Sequence, residues 1–189
     1  MAKVHVPQAY SEVSSSYAPA DPTPGYEDLY RTHRTRIARL CRLLLSDPDE
    51  ADDVTQEVFL KLFRQHQRSD RDMAWGPWLT TVTVNACRDR RRSAWWKWGR
   101  EWSDELNEAD LPSAAPTPEQ EAWTRECRRR VWQCFQQLSA RQREVFVLRH
   151  MEGYSTAETA TLLGTRPGSV KRHLYRAVQH MRTALRGLT

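Results

Sequence analysis

The chain has 189 residues, room for one mid-sized domain or two small ones, with 39% hydrophobic residues and a mean hydropathy of −0.78. A net charge of +5 and an isoelectric point near 9.2 favour polyanionic partners without identifying one. No signal-peptide pattern or membrane-length apolar run is present, which predicts a cytoplasmic chain.

Residues 1–25 end in "SSSYAPADPTPG", a Ser/Pro/Ala-rich stretch without apolar periodicity, which predicts a disordered arm. From Tyr26 a helical pattern begins, with Leu29, Ile37, Leu40 and Leu44 at helical spacings among Arg31, Arg34, Arg36 and Arg39. "SDPDEADD" then stops and restarts the helix. Asp47 is the expected N-cap, Pro48 the first helical residue, and Glu50 stands at capping-box spacing. That helix is predicted to run to about Gln65 and to bury Val54, Val58 and Leu62. After a "RSDRD" loop, "WGPWLTTVTVNACRDRRR" predicts a third helix opening near Pro77.

Residues 103–120, "SDELNEADLPSAAPTPEQ", are acidic, Pro-rich and aperiodic, the composition of a linker. Beyond it "EAWTRECRRRVWQCFQQL" predicts a helix with Trp123, Val131, Cys134 and Leu138 among its apolar positions. Three more helices are expected after Ser139. Ser139 with Gln142 and Ser155 with Glu158 fit capping boxes, while Gly153 and Gly164 fall at helix ends. No strand-like alternation occurs. The expected fold is all-α, two small helical domains at 26–102 and 121–189 joined by the flexible acidic linker.

Ser155 to Leu185 has the pattern of a helix-turn-helix, with a short helix to Leu163, a turn at Gly164 and a second helix from near Pro167. Val170, Leu174, Ala177, Val178, Met181 and Leu185 keep one apolar face, which turns Lys171, Arg172, Tyr175 and Arg176 outward. A helix of this kind enters the major groove, where Arg and Lys reach base edges and phosphates. Arg166 is a poor N-cap, so Thr165 is the expected substitute.

The N-terminal domain combines two unlike surfaces. Asp53, Gln56, Glu57 and Leu60 share a face by i, i+3, i+4 spacing, an acidic stripe with an apolar member that suits a protein partner. The next helix carries Asn85, Arg88, Arg90, Arg91 and Arg92 after Trp75 and Trp78. Aromatic rings stack unpaired bases, cations follow the backbone, and an Asn offers both donor and acceptor to a base edge.

Three segments taken together resemble the extracytoplasmic-function (ECF) sigma factors, group 4 of the sigma-70 family and small initiation factors of bacterial RNA polymerase. "DEADDVTQEVFLKLF" is similar to their core-binding helix, and "WLTTVTVNACRDRRR" to their promoter-melting, −10 reading segment. "LSARQREVFVLRHMEGYSTAETATLLGTRPGSVKRHLYRA" resembles their −35 reading domain. The resemblance spans about residues 26–185 and implies a region 2-like bundle and a region 4-like helix-turn-helix domain. It implies that Asp52, Asp53, Gln56 and Glu57 dock on the clamp helices of the polymerase largest subunit, and that the flap is a further contact. It places Asn85 where the family captures a flipped −10 base, with Arg88, Arg90 and Arg91 beside it, and Lys171, Arg172, Tyr175 and Arg176 on the −35 element, while Trp78 joins the −10 set as an aromatic able to stack a base. The implied partners are core RNA polymerase, promoter DNA and an anti-sigma factor. A membrane-anchored anti-sigma factor would hold the chain at the inner membrane. Thr159 and Arg166 depart from the family pattern, in place of a branched apolar residue and a small capping residue.

No HExxH, P-loop or clustered carboxylate and His set is present, so no catalytic residue, cofactor or small-molecule substrate is assigned. The four cysteines, Cys41, Cys87, Cys127 and Cys134, form no CxxC pair and no zinc spacing with His, which predicts reduced thiols and no metal site. A helix-turn-helix activator that never joins polymerase is the alternative reading, and it leaves the acidic stripe and the Asn/Arg segment without a role. "RRRSAWWKWGREW", Arg90 to Trp102, holds four of the eight tryptophans. Trp95, Trp98 and Trp102 recur at i, i+3, i+7, a spacing that favours packing on protein over stacking on bases.

Overall fold

The computed structural model describes residues 24–68, 73–94 and 118–186. All regular structure in these residues is helical, and the chain divides into two compact units at about residue 101. The expected arm, most of the "RSDRD" loop, most of the linker and the four clustered tryptophans lie outside the described residues.

The first unit is built from α1 (Tyr26–Leu44), α2 (Pro48–His66) and α3 (Trp75–Ala94), each packed on the other two. Leu29, Ile37, Leu40 and Leu44 of α1 and Val54, Val58 and Leu62 of α2 are buried, as their spacing predicts. Full burial of such a side chain stabilises by about 1.5–3 kcal/mol. Asp47 caps α2, accepting hydrogen bonds from the backbone N–H groups of Asp49 (2.9 Å) and Glu50 (3.3 Å), with Pro48 at the first helical position. Pro needs no partner there because its missing N–H would have been an orphan.

α3 begins at Trp75, earlier than the Pro77 start expected from the sequence, because Pro is compatible with the first turn of a helix. From Trp78 to Cys87 every residue except Asn85 is buried, so this helix is covered on nearly all sides. Its buried hydroxyls are satisfied locally. Thr80, Thr81 and Thr83 donate to the carbonyls of Gly76, Pro77 and Leu79 one turn back. Arg36 of α1 reaches the same turn, donating to Thr80 Oγ1 (2.9 and 3.0 Å) and the Gly76 carbonyl (3.0 Å).

The second unit contains α4 (Pro118–Gln136), α5 (Ala140–Phe146), α6 (Thr156–Leu162) and α7 (Pro167–Leu185), with a π-helical turn at Val147–Met151 extending α5. α4 starts inside the stretch read as linker, since Pro118 suits a first helical turn. It also corrects its expected apolar face. Cys134, Phe135 and Leu138 are buried, whereas Trp123 and Val131 stand 58% and 41% exposed. Buried Arg143 secures the α4–α5 corner by donating to the carbonyls of Gln136 (2.8 Å) and Leu138 (3.3 Å).

Both capping boxes expected in the second unit are present, whereas at α2 only the Asp47 half forms and Glu50 does not return a bond. Ser139 and Gln142 satisfy each other's backbone N–H groups, as do Ser155 and Glu158. Between α6 and α7, Gly164 adopts φ +59°, and the N–H groups of Gly164 and Thr165 bond the carbonyls of Thr161 and Ala160. That is a Schellman closure, which requires a residue tolerant of positive φ. Arg166, not Thr165, occupies the N-cap of α7, and no side-chain cap bond forms there. Its chain enters the helix on Pro167, whose fixed φ takes over part of a cap's work.

Candidate nucleic-acid and protein interfaces

On α2, Asp52, Asp53, Gln56, Glu57 and Leu60 are all exposed, with Leu60 at 56%. Each acid already holds a cation of this chain. Asp52 pairs with Arg42 (3.3 Å), Asp53 with Arg90 (3.3 Å) and Glu57 with Lys61 (2.7 Å). Solvated pairs of this kind contribute only about 0.2–1 kcal/mol each, so a partner that offers its own cations can displace them. One turn beyond Leu60, Phe63 is 44% exposed and meets Tyr26 edge-to-face. Its i+3 spacing from Leu60 was the sequence signal for it, and it widens the apolar part of the face. A groove of about 620 Å³ runs between α1 and α2 beside this face, with Tyr26, Tyr30, Phe59 and Leu60 on its apolar side.

The α3 residues assigned to DNA divide into three groups. Asn85 is half-buried, the one polar interruption in a buried run, so its amide stands at the edge of the packed core. Arg88, Arg90 and Arg91 follow it toward the helix end and are also half-buried. Arg90 holds Asp53, and Arg91 donates to the Leu44 carbonyl at 3.1 Å. The latter is one of the orphan carbonyls that end α1, so Arg91 acts as a cap supplied from another helix. Arg92 is exposed and pairs with Asp89 at 3.6 Å.

Trp78 is the correction. It is 8% exposed and packs edge-to-face on Trp75 with centroids 5.8 Å apart, and Trp75 in turn stacks toward His66. A ring enclosed this way presents no open face to a base. The sequence pattern misled because α3 is covered on nearly all sides, so an aromatic beside a polar residue does not mark a surface.

On α7, Lys171, Arg172, Tyr175 and Arg176 are exposed, Tyr175 at 66%, while Val170, Ala177 and Met181 are buried beneath them. No ion-pair partner for Lys171, Arg172 or Arg176 is present among the described residues. His173, on the same helix, is held below the ordinary imidazole range by burial first and then by the nearby charges of Arg172, Arg141 and Arg176, which outweigh Glu144. Thr159 of α6 is fully buried, and its hydroxyl lacks a hydrogen-bond partner.

Comparison with known proteins fits both units. Residues 29–97 match the Sigma-70 region 2 family and residues 128–181 match Sigma-70, region 4. The ECF RNA polymerase sigma factor SigM of Mycobacterium tuberculosis is 32% identical over 152 residues, covering 80% of this chain and 72% of the relative. The chain belongs to the ECF sigma factors. Among other relatives of this ECF sigma factor, the RNA polymerase sigma-E factor of Streptomyces avermitilis is 32% identical over 163 residues, or 85% of this chain and 84% of the relative. Its fold is shared with the sigma factor RpoE of Bartonella quintana, solved in complex with the anti-sigma factor NepR. That match has a TM-score of 0.64 at 19% identity and covers 85% of this chain and 96% of that one. The family is one of transcription initiation factors, not of enzymes. No helix of the described residues is long and apolar enough to cross a membrane.

Proposed function

We propose that this ECF sigma factor carries promoter specificity to core RNA polymerase through separate surfaces on its two units. The exposed face of Asp52, Asp53, Gln56, Glu57 and Leu60 docks on the clamp helices of the largest subunit, and the second unit meets the flap. Asn85 captures an unstacked −10 base, with Arg88, Arg90 and Arg91 along the strand's phosphates. Lys171, Arg172, Tyr175 and Arg176 read the −35 duplex in the major groove. Opening the −10 pairs costs a few kcal/mol per extruded base, which pocket contacts and backbone charge offset. The domain limits that go with this division are 26–102 and 121–189, with 103–120 as connector.

The observation that carries the reading is the placement of Asn85. It is the one half-buried residue in an otherwise buried stretch, on a helix that packs against α2. We further infer control by an anti-sigma factor, supported by a fold neighbour captured with one. That neighbour is the sigma factor RpoE of Bartonella quintana, solved with the anti-sigma factor NepR. An anchored inhibitor of that kind would hold the chain at the membrane from the cytoplasmic side.

The test is run-off transcription from genomic fragments with purified core polymerase. Promoter-specific transcripts are expected only when the chain is added. Their absence on every fragment overturns the proposal, and transcripts that need a second sigma factor identify the chain as an activator.

A further inference from the structure

The groove between α1 and α2 reaches the first turn of α1, where Tyr26 lines it together with Tyr30 and Phe59. The two helices run antiparallel, so Tyr26 meets Phe63 near the end of α2 edge-to-face, with ring centroids 5.2 Å apart. One turn beyond Phe63, His66 Nε2 donates to the Pro24 carbonyl at 3.2 Å and fixes the point from which residues 1–23 depart. Leu60 and Phe63 stand exposed along this side. Arg34 of α1 also lines the groove, with its guanidinium 5.9 Å from the centre of the Tyr30 ring. Residues 1–23 carry a matching set, Tyr10, Val13 and Tyr17 among small and polar neighbours, with Glu12 between the first two. The seven residues from Tyr17 to Pro24 span at most about 25 Å. Tyr26 and Arg42, which mark the groove's extent on α1, lie about 24 Å apart along the helix, so Tyr17 can reach any point of it. A segment tethered at the groove's end is present there at an effective concentration on the order of millimolar, against which a partner from solution has to compete.

We propose that Tyr10 to Tyr17 seats in the α1–α2 groove of its own chain, with its apolar side chains against Tyr30, Phe59 and Leu60 and with Glu12 toward Arg34. Asp52, Gln56 and Leu60 line the groove from α2, so the seated segment covers part of the face proposed above to dock core polymerase. That consequence rests on the docking reading, whereas the seat itself does not. The segment is then a competitor built into the chain, and polymerase binds only the fraction of molecules in which the groove is vacant.

The experiment has two arms, both on the full chain. In the first, p-benzoylphenylalanine stands in place of Tyr17, and the irradiated chain is read by intact mass and by peptide mapping. The expected product has the mass of one chain and joins position 17 to a peptide of α1 or α2 that lines the groove. In the second, Tyr10→Ser with Tyr17→Ser is compared with wild type for affinity to core polymerase. Neither residue lies in a helix of either unit, so the folded surfaces are kept. Affinity should rise roughly tenfold, the gain expected if the segment fills the groove about nine-tenths of the time. Crosslinks that miss the groove, or that form only between chains, would overturn the seat. A groove crosslink with no gain in core affinity would overturn the competition. If neither protein binds core, the docking reading fails, and the crosslink alone decides whether the segment sits in the groove.

Discussion

The basic residues of α3 and those of α7 are alike in composition and differ in how the fold holds them. On α3, Arg90 grips Asp53, Arg91 caps the end of α1 and Arg92 holds Asp89. On α7, Lys171, Arg172 and Arg176 stand exposed over a buried apolar stripe. The α3 cations thus serve the fold of the free chain and must exchange partners to meet a DNA strand. Those of α7 are available to duplex without rearrangement. One charge pattern in the sequence covers two physical situations, and only packing distinguishes them.

The sharpest way to break this comparison is to remove one cation from each helix. Arg91→Ala should destabilise the first unit by about 1.5–3 kcal/mol in urea unfolding, the range for hydrogen bonds to charged groups. Arg172→Ala should stay within about 0.5 kcal/mol of wild type, as surface substitutions do. Equal losses would mean that the α7 cations are also structural.

If the second unit owes its stability to its core and caps and not to its basic face, two substitutions on α6 should register there. Thr159→Val removes a buried hydroxyl that has no partner while keeping its shape, and should stabilise by about 1 kcal/mol. Ser155→Ala should cost about 1 kcal/mol at neutral pH through loss of the capping box. Hydrogen bonds from Ser155 hold the Glu158 carboxyl below its ordinary range. The part Glu158 contributes is therefore fully present above the unfolded carboxylate pKa, and it is lost as pH falls through the depressed native value. The Ser155→Ala deficit should accordingly shrink in acid, and unfolding of both proteins at neutral and acidic pH checks it.

The smallest effect belongs to the Asp53–Arg90 pair. A double-mutant cycle with Asp53→Asn and Arg90→Gln should give a coupling of about 0.2–1 kcal/mol that fades with added salt. A larger, salt-insensitive coupling would make the pair a fixed part of the fold and unsuited to exchange.

Much of this was legible in the sequence because helices announce themselves locally. Asp47, Ser139 and Ser155 act on backbone N–H groups two or three residues away, so each cap was visible in a short window. Val54, Val58 and Leu62 declared the buried side of α2 by period alone. What was not legible depends on neighbours distant in the chain. Trp78 is enclosed by Trp75 and the surrounding packed helices, and nothing beside it in sequence says so. That Arg91 also caps α1 is invisible until the Leu44 carbonyl, 47 residues away, is placed against it. Trp123 and Val131 keep a helical apolar period on α4 yet lie exposed, because period reports amphipathicity and not whether a partner covers the face.

The division of labour itself is tested most directly by permanganate reactivity of −10 thymines, measured in complexes made at concentrations that saturate core polymerase. Asn85→Ala should bind core with unchanged affinity and protect the −35 duplex, while thymine reactivity falls roughly tenfold, the loss expected for about 1.4 kcal/mol of base contact. Core affinity and thymine reactivity falling in parallel would contradict the account.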